Sequence, residues 1–235
     1  MKNDDPYFSI ELERDELNTN FGGGIPKNSL ILIEGPDGAG KSILCQRILY
    51  SLIENGEKLT YISTEFNTLD FINQMESLNY SIQQGFLDQK ILFLTMVPFL
   101  GKVKFEEDFL GKIIQSKKIF EHDILIFDTL SFLMVKQNAG QEEYYNIINF
   151  FRKLNNLNKT VIFTVDPTSL DETFLNMLRN VVDIYVDVEL KMFAGEAIRS
   201  INIKRFKRPK GVYKPAIPFR VEPKEGLIIE IGGYA

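Results

Sequence analysis

Between Gly35 and Ser42 the chain reads GPDGAGKS, which fits the spacing G-x-x-x-x-G-K-[ST] and follows the apolar run Ile31 to Ile33. Residues of these types at this spacing grip phosphate. The glycines let successive backbone N–H groups turn inward around a β-phosphate, and the helix that follows aims the positive end of its dipole at the same anion. Lys41 adds a mobile positive charge for the β- and γ-phosphates, and Ser42 offers a hydroxyl to Mg²⁺. The candidate nucleotide-binding set is Gly35, Pro36, Asp37, Gly38, Ala39, Gly40, Lys41, Ser42 and Ile43, and the implied ligand is ATP with Mg²⁺.

Two carboxylates stand where such a loop would use them. Asp128 ends the apolar run ILIFD, and an acid at the carboxyl edge of a parallel sheet can reach the metal held by Ser42. Metal-site candidates are therefore Ser42 and Asp128. Glu65 ends YISTE; it is either the catalytic carboxylate that orients or deprotonates a water, or a solvated glutamate, with Thr64 a weaker neighbour. Thr164 and Asp166 close VIFTVD, where a polar group can sense a γ-phosphate. An aspartate repels phosphate, so Asp166 before Pro167 also reads as a turn former.

The stretch KRFKRPKGVYK, Lys204 to Lys214, concentrates positive charge, and Pro209 with Gly211 predicts a bent loop. Three uses stay open: a solvated basic hairpin, a finger on a neighbouring subunit's nucleotide (Lys204, Arg205, Lys207), or a nucleic-acid or partner contact. Cys45 reads as a small core residue and His122 has no metal-ligand spacing around it.

The elements that must position these residues follow from periodicity. A glycine and proline turn, Asn20 to Lys27, delivers the chain to a strand at Ser29 to Glu34. Leu44, Ile48, Leu49 and Leu52 recur at helical spacing up to Asn55 and Gly56. Further strands are expected at Leu59 to Thr64, Lys90 to Thr95, Ile124 to Asp128 and Thr160 to Val165. Helices fall at Leu69 to Leu78, Phe109 to Phe120 and Glu142 to Leu157, with a loop around Pro98 to Lys102. This βαβ alternation implies a parallel sheet covered by helices on both faces. After it, Val181 to Leu190 and Ile198 to Phe206 read as antiparallel strands joined through Phe193 to Glu196, and a last strand falls at Leu227 to Ile231.

Composition is consistent with one domain. The 235 residues carry a net charge of -5 and are 44% hydrophobic, which supports a sizeable core and argues against a surface built wholly for nucleic acid. One cysteine rules out an intrachain disulfide. The run Ile91 to Leu100, broken by Thr95 and Pro98, falls short of the ~20 residues a membrane helix needs, and the acidic N-terminus lacks a signal core, so a cytoplasmic location is expected.

The chain resembles the RecA/KaiC class of P-loop ATPases and, within it, the accessory ATP-binding proteins of the archaeal flagellum, the archaellum. The resemblance rests on FGGGIPKNSLILIEGPDGAGKS (Phe21 to Ser42), YISTEFN (Tyr61 to Asn67, with Glu65 on the catalytic glutamate), ILIFDTLSFL (Ile124 to Leu133, with Asp128 on the metal acid) and INIKRFK. It implies a RecA-like α/β fold: a mainly parallel central sheet flanked by helices on both faces, with an antiparallel C-terminal extension. Phe66 replaces the second of two adjacent glutamates, and Asp166 stands in place of a neutral amide or of a glutamate and arginine pair at the sensor position. The resemblance therefore implies ATP binding with slow or absent hydrolysis, in a nucleotide-dependent switch that works with the motor ATPase FlaI and the membrane-linked scaffold FlaX. A homo-oligomer, such as a hexameric ring at the cytoplasmic face of the membrane, is part of that implication. The alternatives are a conventional oligomeric ATPase with Glu65 as base and, with less support, a DNA recombinase. Pro167 to Asn180, where a DNA-binding loop would fall, sets Asp171 and Glu172 against only Arg179, so no nucleic acid is expected.

Overall fold

The computed structural model describes residues 5–96, 117–131, 141–193 and 196–230. Its frame is a nine-stranded sheet. In chain order, and among the described residues, the elements are a two-stranded ribbon, β1 (Tyr7–Phe8) and β2 (Ile25–Pro26), with α1 (Leu17–Asn20) between its strands, then β3 (Leu30–Glu34) and α2 (Lys41–Glu54). Next come β4 (Leu59–Ser63), α3 (Thr68–Ser77), α4 (Gln83–Leu87), β5 (Ile91–Thr95), β6 (Ile124–Asp128), α5 (Gln141–Asn156) and β7 (Thr160–Val165). The chain continues through α6 (Glu172–Val181), β8 (Ile184–Phe193), β9 (Glu196–Phe206), β10 (Ala216–Glu222) and β11 (Gly226–Ile229). The sheet order is β11-β10-β9-β8-β3-β7-β6-β4-β5, parallel from β8 to β5 and antiparallel from β8 to β11.

The parallel strands are short apolar runs because both sheet faces are covered. Alternation sorts them into two layers. Ile31 and Ile33 of β3, Ile124 and Ile126 of β6, Ile162 of β7 and Tyr61 of β4 join Leu44, Cys45, Ile48 and Leu49 of α2 in one core. Leu30, Leu32, Leu125, Phe127, Val161 and Phe163 face the other way, onto Ile147, Phe151, Phe174 and Leu178 of α5 and α6. Asp128 and Thr164 are in phase with the first set, so their side chains face the layer that holds α2.

Several sequence expectations shift. The strand expected from Val181 begins at Ile184, because Val181 closes α6. That helix takes up most of Pro167 to Asn180, where no element is expected from periodicity; Asp171 caps it by accepting from Thr173 N at 2.8 Å, and Phe174, Leu175 and Leu178 bury its inner face. The basic stretch is not all loop, since Lys204 to Phe206 belong to β9. Strand β10 was missed because Pro218 interrupts its pattern; Pro218 sits opposite Ser200 of β9, and its carbonyl accepts from Glu230 N at 2.9 Å. The loop at 98–102 lies outside the described residues, as does most of the helix at 109–120, of which Lys117–Phe120 form a 3-10 turn. The final strand is described from Gly226 to Ile229.

Candidate functional site

The turn from β3 into α2 is possible only because glycines remove steric barriers. A Cβ on Gly35 would lie 2.3 Å from the Val188 carbonyl oxygen, so β8 passes too close for any side chain there. Gly40 caps α2 at φ 106°, a left-handed conformation that glycine adopts without strain. Lys41 and Ser42 open the helix. The Lys41 ammonium donates to the Pro36 carbonyl at 2.8 Å, folded across the loop, and Ser42 Oγ donates to Asp128 Oδ1 at 2.9 Å.

Strand β7 lies between β3 and β6, so the phosphate loop and Asp128 face each other across one strand end. That end supplies Thr164, whose hydroxyl donates to Asp128 Oδ1 at 3.0 Å. From the far side Tyr61 Oη donates to Oδ2 at 2.8 Å, and Thr129 Oγ1 lies 3.4 Å from Oδ1. Asp128 is 1% exposed. Burial pushes its carboxyl up from the usual range, and the hydroxyls of Tyr61, Ser42, Thr164 and Thr129 oppose that shift by solvating the anion. Burial and the Asp128 charge together push the Tyr61 phenol well above its ordinary value, so it stays a donor.

Register places Ser63 of β4 beside Asp128, and Thr64 N donates to the Asp128 carbonyl at 2.7 Å. Glu65 is the next residue. It is exposed at the strand end, and Thr129 Oγ1 lies 3.3 Å from its Oε1, so one hydroxyl proton serves either Glu65 or Asp128. Although much of the residue faces solvent, its carboxyl end is partly dehydrated beside Thr129 and Asp128, which raises it above its ordinary value, and the Asp128 charge adds to the rise. Phe66 turns inward instead, partly buried near Phe71 with ring centroids 6.3 Å apart.

Asp166 is spent on the backbone: its Oδ1 accepts from Thr168 N at 2.9 Å and Thr168 Oγ1 at 2.8 Å, capping the 3-10 turn Pro167–Ser169. Arg179 is also engaged. Its guanidinium forks onto buried Glu34, the last residue of β3, and also reaches Glu172 at 2.9 Å. The basic stretch is seamed with acids as well: Lys204 lies 3.4 Å from Asp187 and 3.7 Å from Glu189, Lys207 3.3 Å from Asp183, and Lys210 2.8 Å from Asp5. Arg205 has Nε and Nη2 buried without a hydrogen-bond partner among the described residues. Cys45 is fully buried, and burial pushes its thiol well up, as suits an inert core residue. His122 sits at the opposite, amino edge of the sheet, where its Nδ1 is 3.1 Å from Thr60 Oγ1.

Sequence spacing missed two parts of this neighbourhood. Tyr61 opens the segment YISTEFN, but nothing in the linear pattern aims its hydroxyl at Asp128. Arg199 of β9 and Phe219 of β10 flank the loop, since a Cβ on Gly40 would lie 3.7 Å from Arg199 Cδ and 3.1 Å from Phe219 Cζ. Only the antiparallel extension brings them there.

The donor set suits one metal class. Among the described residues no group of three or more His, Cys, Asp or Glu side chains could hold an ion, whereas one hydroxyl beside one carboxylate is the protein share that Mg²⁺ takes when phosphates supply the rest. A family model for the KaiC ATPases matches residues 14–232. The chain is 38% identical over 226 residues to the archaeal flagellar ATP-binding protein FlaH of Methanocaldococcus jannaschii, covering 96% of this chain and 97% of that protein. It is 34% identical over 229 residues to the FlaH of Methanococcus voltae, covering 97% and 99%. The crystal structure of the M. jannaschii flagellar accessory protein superposes with a TM-score of 0.90 over 96% of this chain and 100% of that one.

Proposed function

The chain belongs to the KaiC family of ATPases, within it to the FlaH group, and from that premise we propose that it is an ATP-binding accessory component of the archaellum motor that acts as a nucleotide-dependent switch. The observation that carries the binding is the convergence of Lys41, Ser42 and Asp128, with Ser42 Oγ and Asp128 Oδ1 2.9 Å apart at the head of α2. Backbone N–H groups within residues 37–43 would cradle the phosphates, Lys41 would exchange the Pro36 carbonyl for phosphate oxygens, and Ser42 with Asp128 would hold Mg²⁺, whose charge would offset that of the phosphates. Arg199, which has no acidic partner among the described residues, supplies a further positive charge beside Gly40.

Hydrolysis is slow in this proposal. A single glutamate is present where Phe66 fills the adjacent position with a core ring, Asp166 is held in a turn, and Glu65 shares the Thr129 hydroxyl. The bound nucleotide then holds one of two surfaces that partners distinguish. Those partners are the motor ATPase FlaI and the scaffold FlaX, met at the cytoplasmic face of the membrane by a homo-oligomer such as a hexameric ring. Among the described residues no helix is long and apolar enough to cross a membrane.

The test measures ATP binding and turnover on one sample at protein concentrations spanning assembly, and partner affinity with ATP and with ADP. Tight binding, negligible turnover and unequal partner affinities are expected. Equal affinities in the two nucleotide states overturn the switch, because a ligand shifts an equilibrium only through differential affinity. One observation favours a conventional ATPase: Glu65 stands beside Asp128, the Thr129 hydroxyl lying 3.3 Å from Glu65 Oε1 and 3.4 Å from Asp128 Oδ1, where a carboxylate could serve as general base. In that case Lys204, Arg205 and Lys207 act on a neighbouring subunit's nucleotide once Lys204 and Lys207 leave Asp187, Glu189 and Asp183, and turnover rises with assembly.

A further inference from the structure

We propose that Tyr61 is a positioning residue for the metal, fixing the Asp128 carboxylate from beneath so that one oxygen stays turned toward Ser42. This rests on the nucleotide-binding assignment above and extends it to a residue that touches neither phosphate nor metal. The two carboxylate oxygens are solvated unequally. Oδ1 is approached by Ser42 at 2.9 Å, Thr164 at 3.0 Å and Thr129 at 3.4 Å, whereas Tyr61, at 2.8 Å, is the one side-chain donor to Oδ2 among the described residues.

Tyr61 cannot drift. It is 0% exposed, on the central part of β4, with its ring 4.9 Å from the Phe71 ring and stacked 6.0 Å from Phe93 by centroids. A phenol clamped in this way pins Oδ2, and a carboxylate pinned at one oxygen cannot rotate to exchange the two. Mg²⁺ demands near-ideal octahedral geometry and loses water reluctantly, so the orientation of its carboxylate governs affinity. Outer partners of metal ligands typically contribute 10- to 100-fold to metal affinity. If Tyr61 were only a core aromatic, its hydroxyl would contribute nothing to metal binding.

Tyr61→Phe keeps the ring stack and removes one oxygen. The experiment titrates Mn²⁺, a paramagnetic stand-in for Mg²⁺, into the full chain saturated with a non-hydrolysable ATP analogue and follows bound ion by electron paramagnetic resonance. Analogue affinity is measured separately in EDTA, and thermal melting checks the fold. We expect Mn²⁺ affinity to fall about 10- to 100-fold, with analogue affinity in EDTA unchanged within about twofold. Thr164→Val, which leaves Oδ1 with Ser42 and Thr129, loses less. Mn²⁺ affinity within about twofold of the unsubstituted chain overturns the inference while leaving the ATP site standing. An equal fall in EDTA also overturns it, since Tyr61 would then shape the phosphate loop. Failure of the unsubstituted chain to bind the analogue in either condition overturns the ATP-binding assignment itself and, with it, this inference.

Discussion

Asp128 would be a costly residue at 1% exposure if its charge stood alone, and the four hydroxyls around it offset that cost. The same crowding decides how its neighbours respond to substitution. Lys41→Ala removes hydrogen bonds from an ammonium to phosphate, worth about 1.5–3 kcal/mol each, so ATP affinity should fall at least about 10- to 150-fold by calorimetry. Glu65→Gln should leave ATP affinity intact and abolish whatever turnover exists; an unchanged rate eliminates Glu65 as base. The pH profile gives a second check with a definite sign. A base acts only when deprotonated, and the Glu65 pKa is raised from 4.5, so the acid limb of any hydrolysis should lie above pH 4.5. At this scale motif spacing was enough to bring the loop and Asp128 together, whereas spacing left Glu65 open between a catalytic and a solvated carboxylate and the family resemblance singled it out. Tyr61 and Arg199 were not legible, because each reaches the site from a strand whose neighbours only folding supplies.

Elements hold the site through close approaches and the buried Arg47–Asp15 ion pair. Arg47, five residues beyond Ser42 on α2, is 0% exposed and forks onto Asp15 at 2.6 and 2.7 Å while donating to the Ile10 carbonyl at 3.1 Å. This pins the N-terminal segment against the helix that carries Lys41. Asp15→Ala strands a buried guanidinium and should cost about 3–5 kcal/mol in chemical denaturation, whereas replacing both partners, Asp15→Leu with Arg47→Met, should recover most of it. A full loss in the double variant would show that the segment is held by something else. Gly35→Ala wedges a methyl group between β3 and the Val188 carbonyl and should cost about 1–3 kcal/mol by the same measurement. The parallel strands and α2 were readable from period alone. Helix α6 was not, since a short amphipathic run ending in Val181-Val182 mimics a strand start, and β10 was hidden by Pro218.

For the molecule as a whole, ligand binding and folding are one equilibrium. ATP·Mg²⁺ at about 100 times its dissociation constant should stabilise the chain by about 2.7 kcal/mol, raising the melting temperature by roughly 5–10 °C for a chain of this size. Lys41→Ala should cut that shift to about half or less at the same ligand concentration. An undiminished shift would place nucleotide elsewhere on the surface. The antiparallel strands β8 to β11 belong to the same sheet as the phosphate loop, with Val188, Arg199 and Phe219 all close to its glycines. In the proposed switch, these close approaches are the route by which nucleotide state would reach the C-terminal extension.

Residue spacing was enough to mark a phosphate-binding loop pattern, to single out Asp128 as the acid nearest to it, and to give a parallel α/β sheet that carries both, because motif spacing and strand period are local constraints. Tertiary structure alone decided which oxygens of Asp128 are solvated by which hydroxyls, that Phe66 and Asp166 are withdrawn into core and turn, and that much of the basic stretch is already paired with acids. These outcomes depend on strand order. With β7 inserted between β3 and β6, and the chain returning through β8 to β10, residues far apart in sequence meet at one sheet edge. No local spacing specifies that meeting.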